Sequence, residues 1–78
     1  MAKPSPSHAG EHTLVEIGKA VRHIRKRRMV SQEQLALIAD LDRSYVGGVE
    51  RGEHNLAIMM LVKLARALDV ALIDLIRE

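Results

Sequence analysis

The stretch that decides the fold is residues 31–51, SQEQLALIADLDRSYVGGVER. It opens with a capping-box pattern, in which the Ser31 hydroxyl accepts a hydrogen bond from a backbone amide and the Gln34 side chain reaches back to the helix start. Four small or aliphatic residues then recur at helical spacing: Leu35, Ala36, Ile38 and Ala39. These signals predict a short helix that begins at Ser31 and ends near residue 40.

A second short helix follows after a tight connection. Leu41 can fill the core between the two helices, and Asp42 is a good N-cap residue. The second helix is expected to cover residues 43–51. Gly52 then supplies a stop, because glycine adopts the left-handed conformation that commonly follows a helix.

Three further helices flank this pair. A second capping-box pattern, Thr13 to Glu16, predicts a first helix that runs to about residue 28. Apolar spacing predicts a fourth helix over residues 58–68 and a fifth over residues 72–76. No alternating strand pattern is present. The fold class expected is therefore all-α, a compact five-helix domain over residues 13–78.

Composition limits the class of protein. A chain of 78 residues makes one small domain, whose marginal core favours a dimer. Tyr45 is the single aromatic residue, so the core must be aliphatic. There is no cysteine, no apolar run of membrane-spanning length and no signal-peptide pattern, which indicates a soluble cytoplasmic protein. Residues 1–12 contain both prolines and no apolar cluster, and are expected to form a disordered arm.

Sites for metals, cofactors or catalysis are not expected. His8 and His12 have the spacing of helical metal ligands, but beside proline and glycine in an arm this spacing is interpreted as accidental. The sequence has no cysteine nucleophile and no glycine-rich phosphate loop, and its acidic residues are scattered. An enzyme is therefore not expected.

Basic residues are concentrated near the end of the first helix. Between residues 19 and 28 there is no acid, and the six basic residues are Lys19, Arg22, Arg25, Lys26, Arg27 and Arg28. Such a patch can attract phosphate even on a nearly neutral chain. The alternative is a solvated helix end, where cations suit the helix dipole.

Four separated motifs carry a resemblance to a known family. They are VSQEQLA at residues 30–36, LDRSYV at 41–46, VERG at 49–52 and LARALDV at 64–70. Together they resemble the Xre-type (lambda-repressor-like) helix-turn-helix family, over about residues 17–76. Within that family, the chain looks most similar to the small controller proteins of restriction-modification systems. The resemblance implies double-stranded DNA as the partner, with the third helix in the major groove and the second across the DNA backbone.

The resemblance also assigns roles to single residues. It places Arg43 and Ser44 at base edges, where arginine can bind guanine bidentately. It places six residues at the DNA backbone: Ser31, Gln32, Tyr45, Arg51, His54 and Asn55. It pairs Arg25 with Glu50 as a structural tie between helices one and three. Glu53 is expected to point away from phosphate.

Alternatives remain for three of these residues. Gln32 can be a simple capping residue, Arg43 can contact phosphate instead of a base, and Tyr45 can pack in the core. Gly47 and Gly48 depart from the family pattern, because glycine cannot read a base edge. Either they allow a close approach of the third helix, or the protein reads few bases and depends on DNA shape.

The function expected is a sequence-specific transcription regulator that binds a palindromic operator as a homodimer. Five apolar residues are expected at the dimer interface: Met60, Val70, Leu72, Ile73 and Ile76. They can instead close the monomer core. The alternative function is an antitoxin or other protein-interaction module, whose partner the sequence does not identify. When bound to DNA, the protein would be associated with the nucleoid.

Overall fold

The computed structural model describes residues 11–53 and 56–76, and this part of the chain contains helices and no strand. The helices are α1 (His12–Arg27), α2 (Gln32–Ala39), α3 (Arg43–Glu50), α4 (Ile58–Leu68) and α5 (Ile73–Ile76). The predicted all-α, five-helix fold is confirmed. Within the described ranges, no helix has both the length and the apolar character needed to cross a membrane.

The start of α2 is the capping box that the sequence predicts. The Gln34 amide donates to the Ser31 hydroxyl at 3.0 Å, and the Ser31 amide donates to the Gln34 side chain at 2.8 Å. The helix ends at Asp40, whose φ of 61° is left-handed. Asp42 occupies the N-cap of α3 as predicted, but its side chain makes no capping hydrogen bond.

The start predicted for α1 is wrong. Glu11 has the extended backbone of an N-cap, with φ −65° and ψ 143°, and its side chain makes no capping hydrogen bond. Because a hydroxyl caps from the residue that precedes the helix, Thr13 lies too far inside α1 to do so. The helix also takes in His12, which had been assigned to the arm. Residues 1–10, and with them His8, lie outside the described residues.

The C-terminal helices follow the prediction closely. α4 has the expected bounds, and Asp69 ends it in a left-handed conformation with φ 58°. Neither helix has a capping side chain at Ala57 or Ala71. The Ala71 amide instead donates to Asp74 Oδ2 at 3.1 Å, so a direct hydrogen bond supports the start of α5.

The core is aliphatic, as the composition requires. α1 packs against α3, α4 and α5, while α2 packs against α3 and α4. The largest fully buried side chains are all leucine or valine: Val21, Leu35, Val46, Val49, Leu64, Leu68 and Leu75. The short helices α2 and α3 therefore pack against each other and are supported by the longer helices, α3 by α1 and α2 by α4.

Two glycines set how closely α1 approaches the end of α3. A Cβ on Gly18 would lie 2.7 Å from the carbonyl oxygen of Glu50, so only glycine fits at this crossing. Gly52 ends α3 with φ 74°, as predicted, and a Cβ there would lie 2.9 Å from the Val15 backbone. The end of α3 is thus fixed against α1 by backbone contact.

Candidate nucleic-acid interface

A buried ion pair fixes α3 relative to α1 and α2. Arg25 Nε donates to Glu50 Oε2 at 2.6 Å and Arg25 Nη2 donates to Glu50 Oε1 at 3.1 Å. The two side chains are 11% and 3% exposed. Arg25 Nη1 also donates to the Val30 carbonyl at 2.9 Å, just before α2. Removing either partner of such a pair costs about 3–5 kcal/mol. Arg25 is therefore directed into the protein and does not extend the basic surface of α1.

Gln32 joins the same network. Its Nε2 donates to Glu50 Oε1 at 3.0 Å, so the first residue of α2 shares a carboxylate with Arg25. Nothing in the sequence spacing indicates this bond. One N–H of the Gln32 amide is therefore engaged by Glu50, and the side chain is held at the N-terminus of α2. Backbone amides and the helix dipole at such a terminus favour an anion.

Val46 and Val49 of α3 are buried in the core. Four other residues at helical spacing are here called the α3 outer stripe: Ser44, Gly47, Gly48 and Arg51. Ser44 and Arg51 are exposed at its two ends, and the two glycines between them are buried. Ser44 and the neighbouring Arg43 are exposed at the start of the helix. The two candidate base readers are thus accessible. Within the α3 outer stripe, only Ser44 and Arg51 carry side chains.

Arg51 extends back over this gap. Its Nη1 lies 3.1 Å from the place where a Cβ on Gly47 would stand, and Gln32 Oε1 lies 3.7 Å from the same point. The Arg51 guanidinium is therefore next to Gln32 on the outer surface. The atoms nearest to the Cβ position of Gly47 belong to the side chains of Arg51 and Gln32. In the described structure, Gly47 therefore makes room for side chains and not for the backbone of another helix.

Glu53 binds the Arg51 guanidinium. Arg51 Nε donates to Glu53 Oε2 at 2.9 Å, and Arg51 Nη2 donates to Glu53 Oε1 at 3.2 Å. These hydrogen bonds and the negative charge of Glu53 raise the pKa of Arg51. Glu53 therefore lies against Arg51, a residue that the resemblance assigns to the DNA backbone, and its expected orientation away from phosphate stays a prediction.

Tyr45 lies half-buried against the core. Burial raises the pKa of its hydroxyl. It borders a groove with Leu41 and Met60. The structure thus shows the core packing that was the alternative role, and contact with phosphate stays a prediction. His54 and Asn55, the other expected backbone ligands after α3, lie outside the described residues.

The six basic residues between Lys19 and Arg28, on α1 and at its C-cap, divide between the interior and the surface. Arg25 is buried, and the other five are exposed. Arg28 Nη2 donates to the Asp69 carbonyl at 3.2 Å, and Lys19 pairs with Glu16 at 3.6 Å. Two of the five exposed cations are thus already bound to groups of the protein.

The five residues expected at a dimer interface fall in two places. Ile73 and Ile76 on α5 are 55% and 41% exposed. Val70 and Leu72 are half-buried and pack against the core, the role given as the alternative. Met60 lies in the first turn of α4, at the opposite end of that helix from Val70, and borders the Tyr45 groove. The structure therefore does not bring Met60 together with the other four.

Comparison with known proteins agrees with this architecture. The family model described as Helix-turn-helix matches residues 21–75. The control protein C.SmaI of Serratia marcescens is 44% identical over 55 residues, which are 70% of this chain and 66% of that protein. The crystal structure of the restriction-modification controller protein C.AhdI from Aeromonas hydrophila has 48% identity and a TM-score of 0.78, covering 80% of this chain and 94% of that one.

A third relative has been crystallised with DNA. It is the restriction-modification controller protein C.Esp1396I, a tetramer in complex with its natural 35 base-pair operator, with 31% identity and a TM-score of 0.76. The match covers 87% of this chain and 99% of that one. These relatives are named control or controller proteins, which does not favour the alternative of an antitoxin or interaction module. This chain belongs to the Xre-type helix-turn-helix family.

Proposed function

We propose that this chain is a sequence-specific DNA-binding transcription regulator that acts as a homodimer on a palindromic operator. One observation carries the proposal: the buried Glu50 carboxylate binds both Arg25 and Gln32. It thereby ties the last residue of α3 to α1 and to the N-terminus of α2, and this holds α3 in one orientation beside α2. The names of the relatives as controller proteins support the same function.

Within this function, the two helices have different tasks. Ser31 and Gln32 at the start of α2 bind a phosphate, which fixes the register of the protein on the duplex. Arg43 and Ser44 at the start of α3 reach base edges in the major groove. Arg51 adds a further phosphate contact, and Tyr45, His54 and Asn55 are assigned to the backbone as well.

The proposed dimer uses α5. Ile73 and Ile76 are large apolar side chains left exposed at the end of a small domain. A second copy of the chain related by two-fold symmetry can cover them. Two copies would present their α3 helices to successive major grooves about 34 Å apart. The relative C.Esp1396I, crystallised as a tetramer on its operator, supports assembly of this kind.

The proposal needs neither a cofactor nor a metal, and it involves no catalysis. It places the protein in the cytoplasm, bound to the nucleoid when on its operator.

DNA binding by variants of the protein tests the proposal. The probe is the duplex that the wild-type protein enriches from a random-sequence pool. Arg43→Ala is expected to relax the preference at one base pair of each half-site, at a cost of about 1–3 kcal/mol. Arg66→Ala is the control, because Arg66 is an exposed arginine on α4. If Arg43→Ala weakens every duplex alike, Arg43 is a phosphate ligand and the assigned base reader is wrong.

A further inference from the structure

The gap in the α3 outer stripe is covered by one side chain. Gly47 and Gly48 provide no side chain, and Arg51 is the next residue of that stripe. Side chains on a helix lean toward its N-terminus. Accordingly, the Arg51 guanidinium lies over Gly47 and beside Gln32. Arg51 is therefore part of the surface that would meet DNA, next to a candidate phosphate ligand.

The same guanidinium is already occupied. Glu53 accepts from Nε and Nη2 of Arg51 at 2.9 and 3.2 Å. A guanidinium binds carboxylates and phosphates in the same way, with two parallel N–H groups directed at two oxygens. The Glu53 carboxylate thus holds an edge of Arg51 that a DNA phosphate would use.

We propose that Glu53 is an internal competitor for the DNA phosphodiester at Arg51, and that it lowers the affinity of the protein for its operator. The inference rests on the proposed DNA-binding function. In the free protein Arg51 donates to Glu53. On DNA, both hydrogen bonds break, Arg51 donates to two phosphate oxygens, and the Glu53 carboxylate separates from the guanidinium.

The charges of the pair give the inference a measurable consequence. While Glu53 is bound to it, Arg51 adds no net positive charge to the surface. Each phosphate that a protein neutralises releases counterions, and this steepens the fall in affinity as salt rises. A protein without the Glu53 charge should therefore show both tighter binding and a stronger dependence on salt.

Glu53→Gln tests this with a side chain of the same size. Both partners of the pair are half or more exposed, at 60% and 50%, so the substitution should not disturb folding. We expect operator affinity to rise about two- to fivefold. The slope of log affinity against log salt should steepen by about one. The probe is the duplex enriched by the wild-type protein, titrated at several salt concentrations.

Two further variants test whether the gain in affinity comes from the Arg51–Glu53 pair or from the loss of any negative charge. Glu33→Gln removes an equal charge from the first turn of α2, where Glu33 is exposed and makes no ion pair with any described residue. It is expected to have a smaller effect on affinity and slope. Arg51→Ala should weaken binding, and Glu53→Gln added to Arg51→Ala should change little.

Three results would overturn the inference. The first is unchanged or weaker binding by Glu53→Gln. The second is an equal gain from Glu33→Gln, and the third is a full gain that persists in the Arg51→Ala background. If wild-type protein enriches no duplex and binds no DNA, the proposed function fails together with the inference. If wild-type protein binds and Glu53→Gln has no effect, the inference fails alone.

Discussion

Two arginine–glutamate pairs, Arg25–Glu50 and Arg51–Glu53, hold side chains of the candidate site in place. The tie between Arg25 and Glu50 follows from the family resemblance, since both residues lie within the region that the resemblance covers. The bond between Arg51 and Glu53 does not follow from the family resemblance. These two residues lie on either side of Gly52, where the chain leaves the helix, and periodicity gives no rule for which side chains meet there.

Two buried glycines on helices should respond in opposite ways to the same change. Gly18→Ala should lower the free energy of unfolding by about 1–3 kcal/mol, because its Cβ would press on the backbone of α3. Gly47→Ala should raise that free energy by up to about 1 kcal/mol, because alanine favours the helix and its nearest neighbour is the end of an exposed side chain, Arg51.

Urea denaturation of the two variants beside wild-type protein measures both effects. Equal destabilisation by the two substitutions would contradict this account, since it would mean that Gly47 is packed as tightly as Gly18. The Gly47 variant also reports on Arg51, because a methyl group there displaces the guanidinium from its place beside Gln32.

At the level of elements, similar capping patterns gave different outcomes. Ser31 and Gln34 form the box, while Thr13 and Glu16 do not, because α1 extends beyond Thr13 to His12. A capping motif specifies a start only if no residue before it joins the helix. In α1 His12 does join, and local sequence contains no signal that prevents this.

Removing the two hydroxyls distinguishes a real cap from an apparent one. Ser31→Ala should reduce the free energy of unfolding by about 1 kcal/mol, through loss of the bond to the Gln34 amide. Thr13→Ala is the matched control and should have almost no effect, since Thr13 is exposed and caps nothing. Thermal unfolding followed by circular dichroism measures both. A larger loss from Thr13→Ala would show that the assigned helix start is wrong.

For the whole molecule, most of the fold was predictable and the assembly was not. Helix count, most boundaries and the aliphatic core follow from caps, apolar spacing and composition. Which apolar residues share a dimer surface depends on where distant segments of the chain meet, and apolar spacing does not show this. The predicted interface therefore included Met60, which lies at the other end of α4 from Val70.

The proposed dimer has a direct test on α5. Ile73→Glu should convert the protein to a monomer, because a carboxylate would be buried where two copies meet. Ile58→Glu is the control, since Ile58 is similarly exposed at 58% but lies at the start of α4. Sedimentation velocity distinguishes the species. A dimer that survives Ile73→Glu but not Ile58→Glu would move the interface to α4.

Two copies of α3 that read a symmetric operator should select symmetric sites from random DNA. Selection of bound duplexes from a random pool, followed by sequencing, measures this. We expect two inverted half-sites whose centres lie about one helical turn apart, with one base pair in each that loses its preference in Arg43→Ala. A pool with no enriched sequence, or with a single unsymmetrical site, would contradict this expectation.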